Sequence, residues 1–140
     1  RQMCIRDRCQ HHPEDSAMSL PPSADTGRRG EQAAVDYLRR AGYAILERNW
    51  RSGRYELDIV ARRWDVLHFV EVKTRRAEGL TTPEEALTPR KFAALRRAAE
   101  AYMAQHRVEL EPQFDLAAVD LLPDGTLSVR FTERAMECSW

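Results

Sequence analysis

Apolar and polar positions alternate along the chain in two rhythms. Ala34, Val35, Leu38 and Ala41 fall at i, i+1, i+4 and i+7, the stripe of an amphipathic helix, and Gly42 is placed to stop it. Three strand-like runs follow, over residues 43–50, 55–62 and 66–74, with Ser52-Gly53 as a turn after the first. Only Arg63-Trp64-Asp65 separates the last two runs, which predicts an antiparallel hairpin. After a polar loop over residues 75–82, Thr88 offers an N-cap with Pro89 at the first helical position. Phe92, Leu95, Ala99 and Tyr102 then mark one face of a helix running to about residue 106. Two more strands, 114–122 and 127–131, are joined by Pro123-Asp124-Gly125. The expected order is αβββαββ, an α/β fold.

The chain has 140 residues, 43% apolar and 31% charged, which suits one globular domain. No stretch approaches the ~18 consecutive apolar residues of a membrane span. Three cysteines, two of them in the first nine residues, exclude a disulfide-stapled secreted fold and leave a cytoplasmic protein as the expectation. Residues 1–26 read as a disordered tail, rich in Pro, Ser and Ala from residue 13. Met18 is a natural start, and residues 1–17 are set aside. Cys4, Cys9, His11 and His12 lack a second ligand pair at zinc-site spacing. The domain is expected over residues 27–134, followed by a short tail over 135–140.

The net charge of zero conceals an asymmetry. Between Arg28 and Arg97 there are 16 Lys+Arg against 10 Asp+Glu, whereas from Ala98 onward there are 3 against 8. A basic first half is compatible with one face meeting a polyanion. Of the 22 basic residues only Lys73 and Lys91 are lysine, which singles out these two for roles needing a compact ammonium.

Chemistry concentrates in the hairpin. Along the run 55–62, strict alternation puts Tyr55, Leu57, Ile59 and Ala61 on one face and Glu56, Asp58 and Val60 on the other. Along 66–74, Leu67, Phe69, Glu71 and Lys73 share a face and His68 points the opposite way. A hairpin centred near Trp64 brings Asp58 opposite Glu71, at a Cβ separation of about 5 Å. Both carboxylates fall in an apolar strand environment, where one stays protonated unless a cation intervenes. Lys73 neutralises only one, and hard oxygen ligands suit Mg²⁺ or Mn²⁺. The plain alternative is a Glu–Lys ion pair along one strand.

Asp58, twelve residues, then Glu71-Val72-Lys73 resembles the PD-(D/E)xK signature of restriction-endonuclease-like nucleases. The wider pattern resembles the YraN family of predicted endonucleases, similar in fold to archaeal Holliday-junction resolvases. It rests on Gly30-Glu31, Gly42-Tyr43, Arg48-Asn49-Trp50-Arg51, Glu56-Leu57-Asp58-Ile59-Val60-Ala61, Phe69-Val70-Glu71-Val72-Lys73-Thr74-Arg75, Gly79, Lys91 and Phe114-Asp115. Tyr55 stands where that family usually has Gly, and Gln113 where it usually has Arg. The resemblance implies a nuclease-like core with a central mixed sheet flanked by helices. It implies Asp58, Glu71 and the Val72 carbonyl as ligands of Mg²⁺ or Mn²⁺, with Lys73 serving the attacking water and the phosphate. Glu31 would complete the site, and Glu56 is a weaker candidate.

Arg75, Arg76, Arg90 and Lys91, with Arg96 and Arg97, flank this constellation and are candidates for phosphate contacts. The leading expectation is a metal-dependent endonuclease on structured or branched DNA, acting as a monomer or homodimer. The alternatives are a non-catalytic DNA-binding module and a structural protein whose Glu-x-Lys is a salt bridge.

Overall fold

The computed structural model describes residues 2–5, 24–77 and 87–135. Their elements are β1 (Gln2–Ile5), α1 (Ala24–Arg40), β2 (Ala44–Ser52), β3 (Tyr55–Arg63), β4 (Val66–Arg76), α2 (Pro89–His106), β5 (Glu111–Leu121) and β6 (Leu127–Thr132). From α1 onward the order is the expected αβββαββ. One element departs from the expected tail: Gln2–Ile5 pairs antiparallel with β6 and covers what would otherwise be a sheet edge. Residues 6–23, 78–86 and 136–140 lie outside the described residues, and so do most of the N-terminal tail and Gly79.

The sheet is mixed, with strand order β1-β6-β5-β4-β3-β2. β2, β3 and β4 form an antiparallel meander, whereas β4 and β5 run parallel. Parallel neighbours need a crossover, and α2 supplies it. β5 begins at Glu111, earlier than alternation suggested, because its first residues pair with Val66, Leu67 and His68 of β4.

Each helix covers one sheet face. Ala34, Val35 and Leu38 of α1 pack with Ile59, Ala61, Val70, Ala117 and Val119. Phe92, Leu95, Ala99 and Tyr102 of α2 pack with Leu57, Val60, Leu67 and Phe69. The helix ends are built as their residues dictate. Gly42 takes φ +94 after α1, and the Tyr43 N–H returns to the Leu38 carbonyl at 2.9 Å, a Schellman closure. Thr88 Oγ1 caps α2 by accepting the Lys91 N–H at 3.1 Å.

A buried polar network braces β4 against β5. His68 Nδ1 lies 2.6 Å from Asp115 Oδ2. Asp115 Oδ1 also accepts Gln113 Nε2 and the Arg134 N–H. The His68 ring stands edge-on to Tyr43 on the α1 face, opposite Glu71.

Candidate active site

Strands β3 and β4 part at the position of Asp58. Their ladder is regular from Arg63↔Val66 to Ile59↔Val70 and stops there. The next N–H of β4 facing β3 is that of Val72. It donates to the Asp58 carboxylate, to Oδ2 at 2.9 Å, in place of a backbone carbonyl. The parting corrects the strict alternation expected for β3. Leu57 packs with Trp50 on the α2 side, while Ile59 packs on the α1 side. The neighbouring strand explains this. Asn49 of β2 takes φ 52, a left-handed conformation that Asn tolerates, between the pairs Arg48↔Ile59 and Trp50↔Leu57. Asp58 stands across from this left-handed residue, and its side chain turns to the β4 edge at Val72.

Glu71 sits across that opening, 5% exposed. Burial, then the charge of Glu71, push the Asp58 carboxyl from 3.8 up to about 7, against the pull of the Val72 N–H. A hydrogen bond shared with Glu71 and the charge of Glu31 act in the same upward direction. The Asp58 carboxyl therefore holds its proton up to near neutral pH, as burial beside a second carboxylate requires. The juxtaposition expected from the hairpin is present, reached by a carboxylate inserted into the ladder.

Two ammonium groups answer the charge of Glu71. Lys73 Nζ lies 3.5 Å and Lys91 Nζ 3.4 Å from the same oxygen, Glu71 Oε2. Lys73 comes from two residues along β4, and Lys91 from the first turn of α2. The sequence reading placed Lys91 among the residues flanking the site as a phosphate contact; the capped start of α2 brings it onto the carboxylate itself. Its signal was present in the composition, since the only two lysines of the chain meet here.

The other candidates divide. Glu31 is brought alongside and is felt by Asp58, yet its Oε1 also accepts Asn49 Nδ2 at 2.6 Å and faces Arg48 at 3.7 Å. Glu56 is not drawn in; it is exposed and paired with Arg51 at 3.7 Å. Arg75 is held by Asp120, Nε to Oδ1 at 3.2 Å, and Arg130 approaches the same carboxylate. This internal pairing occupies a residue expected to face phosphate. Arg76 and Arg90 make no ion pair among the described residues.

The donor set fits a hard divalent cation. Asp58 and Glu71 offer carboxylate oxygens, and the Val72 carbonyl leaves the same strand edge as its N–H, toward the same opening. Among the described residues no group of three or more His, Cys, Asp or Glu side chains is arranged to hold a metal. Two carboxylates with room for water and a phosphate oxygen suit Mg²⁺ or Mn²⁺ better than an all-protein cage. Cys4 and the other N-terminal Cys and His residues have no described side chains.

Fold and site together define an α/β protein whose mixed sheet opens around the buried carboxylate of Glu71, held by two lysines, with the half-buried Asp58 beside it. The chain belongs to the uncharacterised protein family UPF0102, the YraN family, whose model matches residues 30–119. That span begins at Gly30 and contains Glu31, Asp58, Glu71, Lys73 and Lys91. The chain is 47% identical over 105 residues to a UPF0102 protein of Oleidesulfovibrio alaskensis, covering 74% of this chain and 52% of that protein. It thus spans about half the length of that relative. It is 44% identical over 102 residues to a UPF0102 protein of Porphyromonas gingivalis, covering 73% and 76%. A UPF0102 protein of Symbiobacterium thermophilum is 43% identical over 114 residues, covering 81% and 97%.

Proposed function

We propose that this protein is a metal-dependent endonuclease with a nuclease-like core, hydrolysing phosphodiester bonds of structured or branched DNA in the cytoplasm as a monomer or homodimer. The observation that carries the reading is the convergence of Asp58, Glu71, Lys73 and Lys91 at the opened end of the β3–β4 ladder. A purely structural Glu–Lys pair needs neither a second ammonium on the same oxygen nor a second buried carboxyl beside it. Among the described residues no helix is long and apolar enough to cross a membrane.

Phosphodiester hydrolysis needs a nucleophile at neutral pH and a counter-charge for the phosphate in the transition state. Mg²⁺ or Mn²⁺ held by Asp58, Glu71 and the Val72 carbonyl would supply Lewis acidity to both. Asp58 is oriented for this by the Val72 N–H, and Glu71 by its two lysines. Lys73, beside Glu71, would orient the attacking water and donate to a phosphate oxygen. Glu31, fixed by Asn49 and Arg48, orders water at the rim.

The test is a cleavage screen of the purified protein on junctions, flaps, single strands and duplex with Mg²⁺ or Mn²⁺, beside Glu71→Gln. Cutting of a structured substrate that Glu71→Gln abolishes is expected. A protein that binds DNA but neither binds the ion nor cuts any substrate is the non-catalytic module, and overturns the reading.

A further inference from the structure

A groove of about 410 Å³ runs from the site along the first half of α2 to the turn between β2 and β3. Arg54 and Tyr55 form one wall, and Lys91, Leu95 and Arg97 the other. It shares Lys91 with the site, the residue that touches Glu71, so the groove adjoins the site. The volume falls within the ~300–1,000 Å³ of small-ligand sites.

Its arginines are left without carboxylate partners among the described residues, unlike several arginines elsewhere on the surface. Arg48, Arg51, Arg75 and Arg130 are each paired with a carboxylate. Arg54 and Arg97 make no ion pair or hydrogen bond among the described residues. Glu56, the acid lining the groove, is turned to Arg51. A second cavity, of about 330 Å³, sets Glu100 and Glu111 beside Arg96 and Arg134 and so carries no such excess.

We propose that this groove seats the DNA strand flanking the reacting phosphate, with Arg54 and Arg97 binding its phosphodiesters from opposite walls. The assignment rests on the nuclease reading for the identity of the strand. Unpaired guanidinium groups bind phosphate oxygens with a planar fork, and Leu95 with the Tyr55 ring gives the sugar and base an apolar floor. Lys91 marks where the flank ends and the reacting phosphate begins. Arg54 and Arg97 are therefore binding residues that set affinity and leave the chemistry to the carboxylates.

The experiment measures anisotropy of a labelled single-stranded oligonucleotide and of a forked duplex with the full chain in EDTA. Arg54→Gln/Arg97→Gln is compared with Arg39→Gln/Arg40→Gln, an equal charge change at the end of α1. The groove variant is expected to bind the single strand at least tenfold more weakly. Its salt slope should be shallower by about one to two, the loss of two phosphate contacts. The control should stay within twofold, and both should melt within a few degrees of the parent. Groove-variant binding within twofold of the parent, or an equal loss in the control, overturns the proposal. Where the parent cuts, the variant should raise KM and keep kcat; a lowered kcat at unchanged KM also overturns it. A parent that binds through the groove but cuts nothing sinks the nuclease reading and leaves the groove standing.

Discussion

Gly30 of α1 packs so closely on Thr74 of β4 that a Cβ built on it would lie 2.0 Å from Thr74 Oγ1. Rotating Thr74 would not clear the contact, since its Cβ and Cγ2 lie 3.0 Å away. The glycine lets the helix settle on β4 at Thr74, next along the strand to Lys73 but on the opposite face, and it is the residue before Glu31. Helix placement and site geometry are thus one feature.

Gly30→Ala is accordingly expected to destabilise the fold by about 1–3 kcal/mol through overpacking, despite the better helix propensity of alanine. Adding Thr74→Ala removes Oγ1 and Cγ2 but keeps the Cβ at 3.0 Å, so it should restore part of the loss. Chemical denaturation of the two variants checks this, and an unchanged midpoint for Gly30→Ala would show that the helix does not sit so close.

Stability should depend on pH through Asp58. Its folded pKa of about 7 lies above the ordinary 3.8, so the native state holds this proton more tightly than the unfolded chain. In a metal-free buffer the ionised form costs stability, which should fall as pH rises from about 4 to 7 and level off above. Asp58→Asn should melt higher than the parent at pH 8 and show a flatter profile. Mg²⁺ at pH 8 should raise the melting temperature of the parent and leave that of Asp58→Asn unmoved. The opposite slope in the parent would refute the buried carboxyl pair.

Lys73 and Lys91 should behave as a coupled pair. With either alanine variant Glu71 keeps one ammonium, so each alone should cost little stability. The double variant leaves a buried carboxylate uncompensated and should lose more than the sum of the singles. Lys73→Ala should lower any cleavage rate by about a hundredfold or more while sparing metal binding, and Lys73→Arg should rescue poorly. Strict additivity in a thermal double-mutant cycle would show that the two do not share Glu71.

Asp115→Ala should act on stability alone. It removes the partner of His68, Gln113 Nε2 and the Arg134 N–H in a buried setting, a loss of about 3 kcal/mol. The Mg²⁺-induced rise in melting temperature should persist in it. A variant that melts like the parent but no longer responds to Mg²⁺ would move Asp115 into the site.

Much of this was legible along the chain. The stripe Ala34, Val35, Leu38 and Ala41, the Gly42 stop and the Thr88-Pro89 start each express a local rule, so the elements follow from local spacing. The short turn at Trp64 fixes the register that sets Asp58 against Glu71. Strict alternation failed at Leu57 because the cause lies on another strand, at the left-handed Asn49. The pairing of Arg75 with Asp120 joins β4 to β5 through a parallel register that no local pattern encodes.

The sequence by itself determined the element order from α1 onward, the carboxylates and lysine of one hairpin, and the family. These depend on residues close in the chain, where periodicity and turn length leave few choices. Tertiary structure alone decided that Lys91 joins Lys73 on one oxygen of Glu71, that Glu56 stays outside, and that Arg54 and Arg97 line one groove with no ion-pair partner among the described residues. Those relationships arise where α2 crosses over to reach β5, and where side chains meet across elements is settled by packing rather than by spacing.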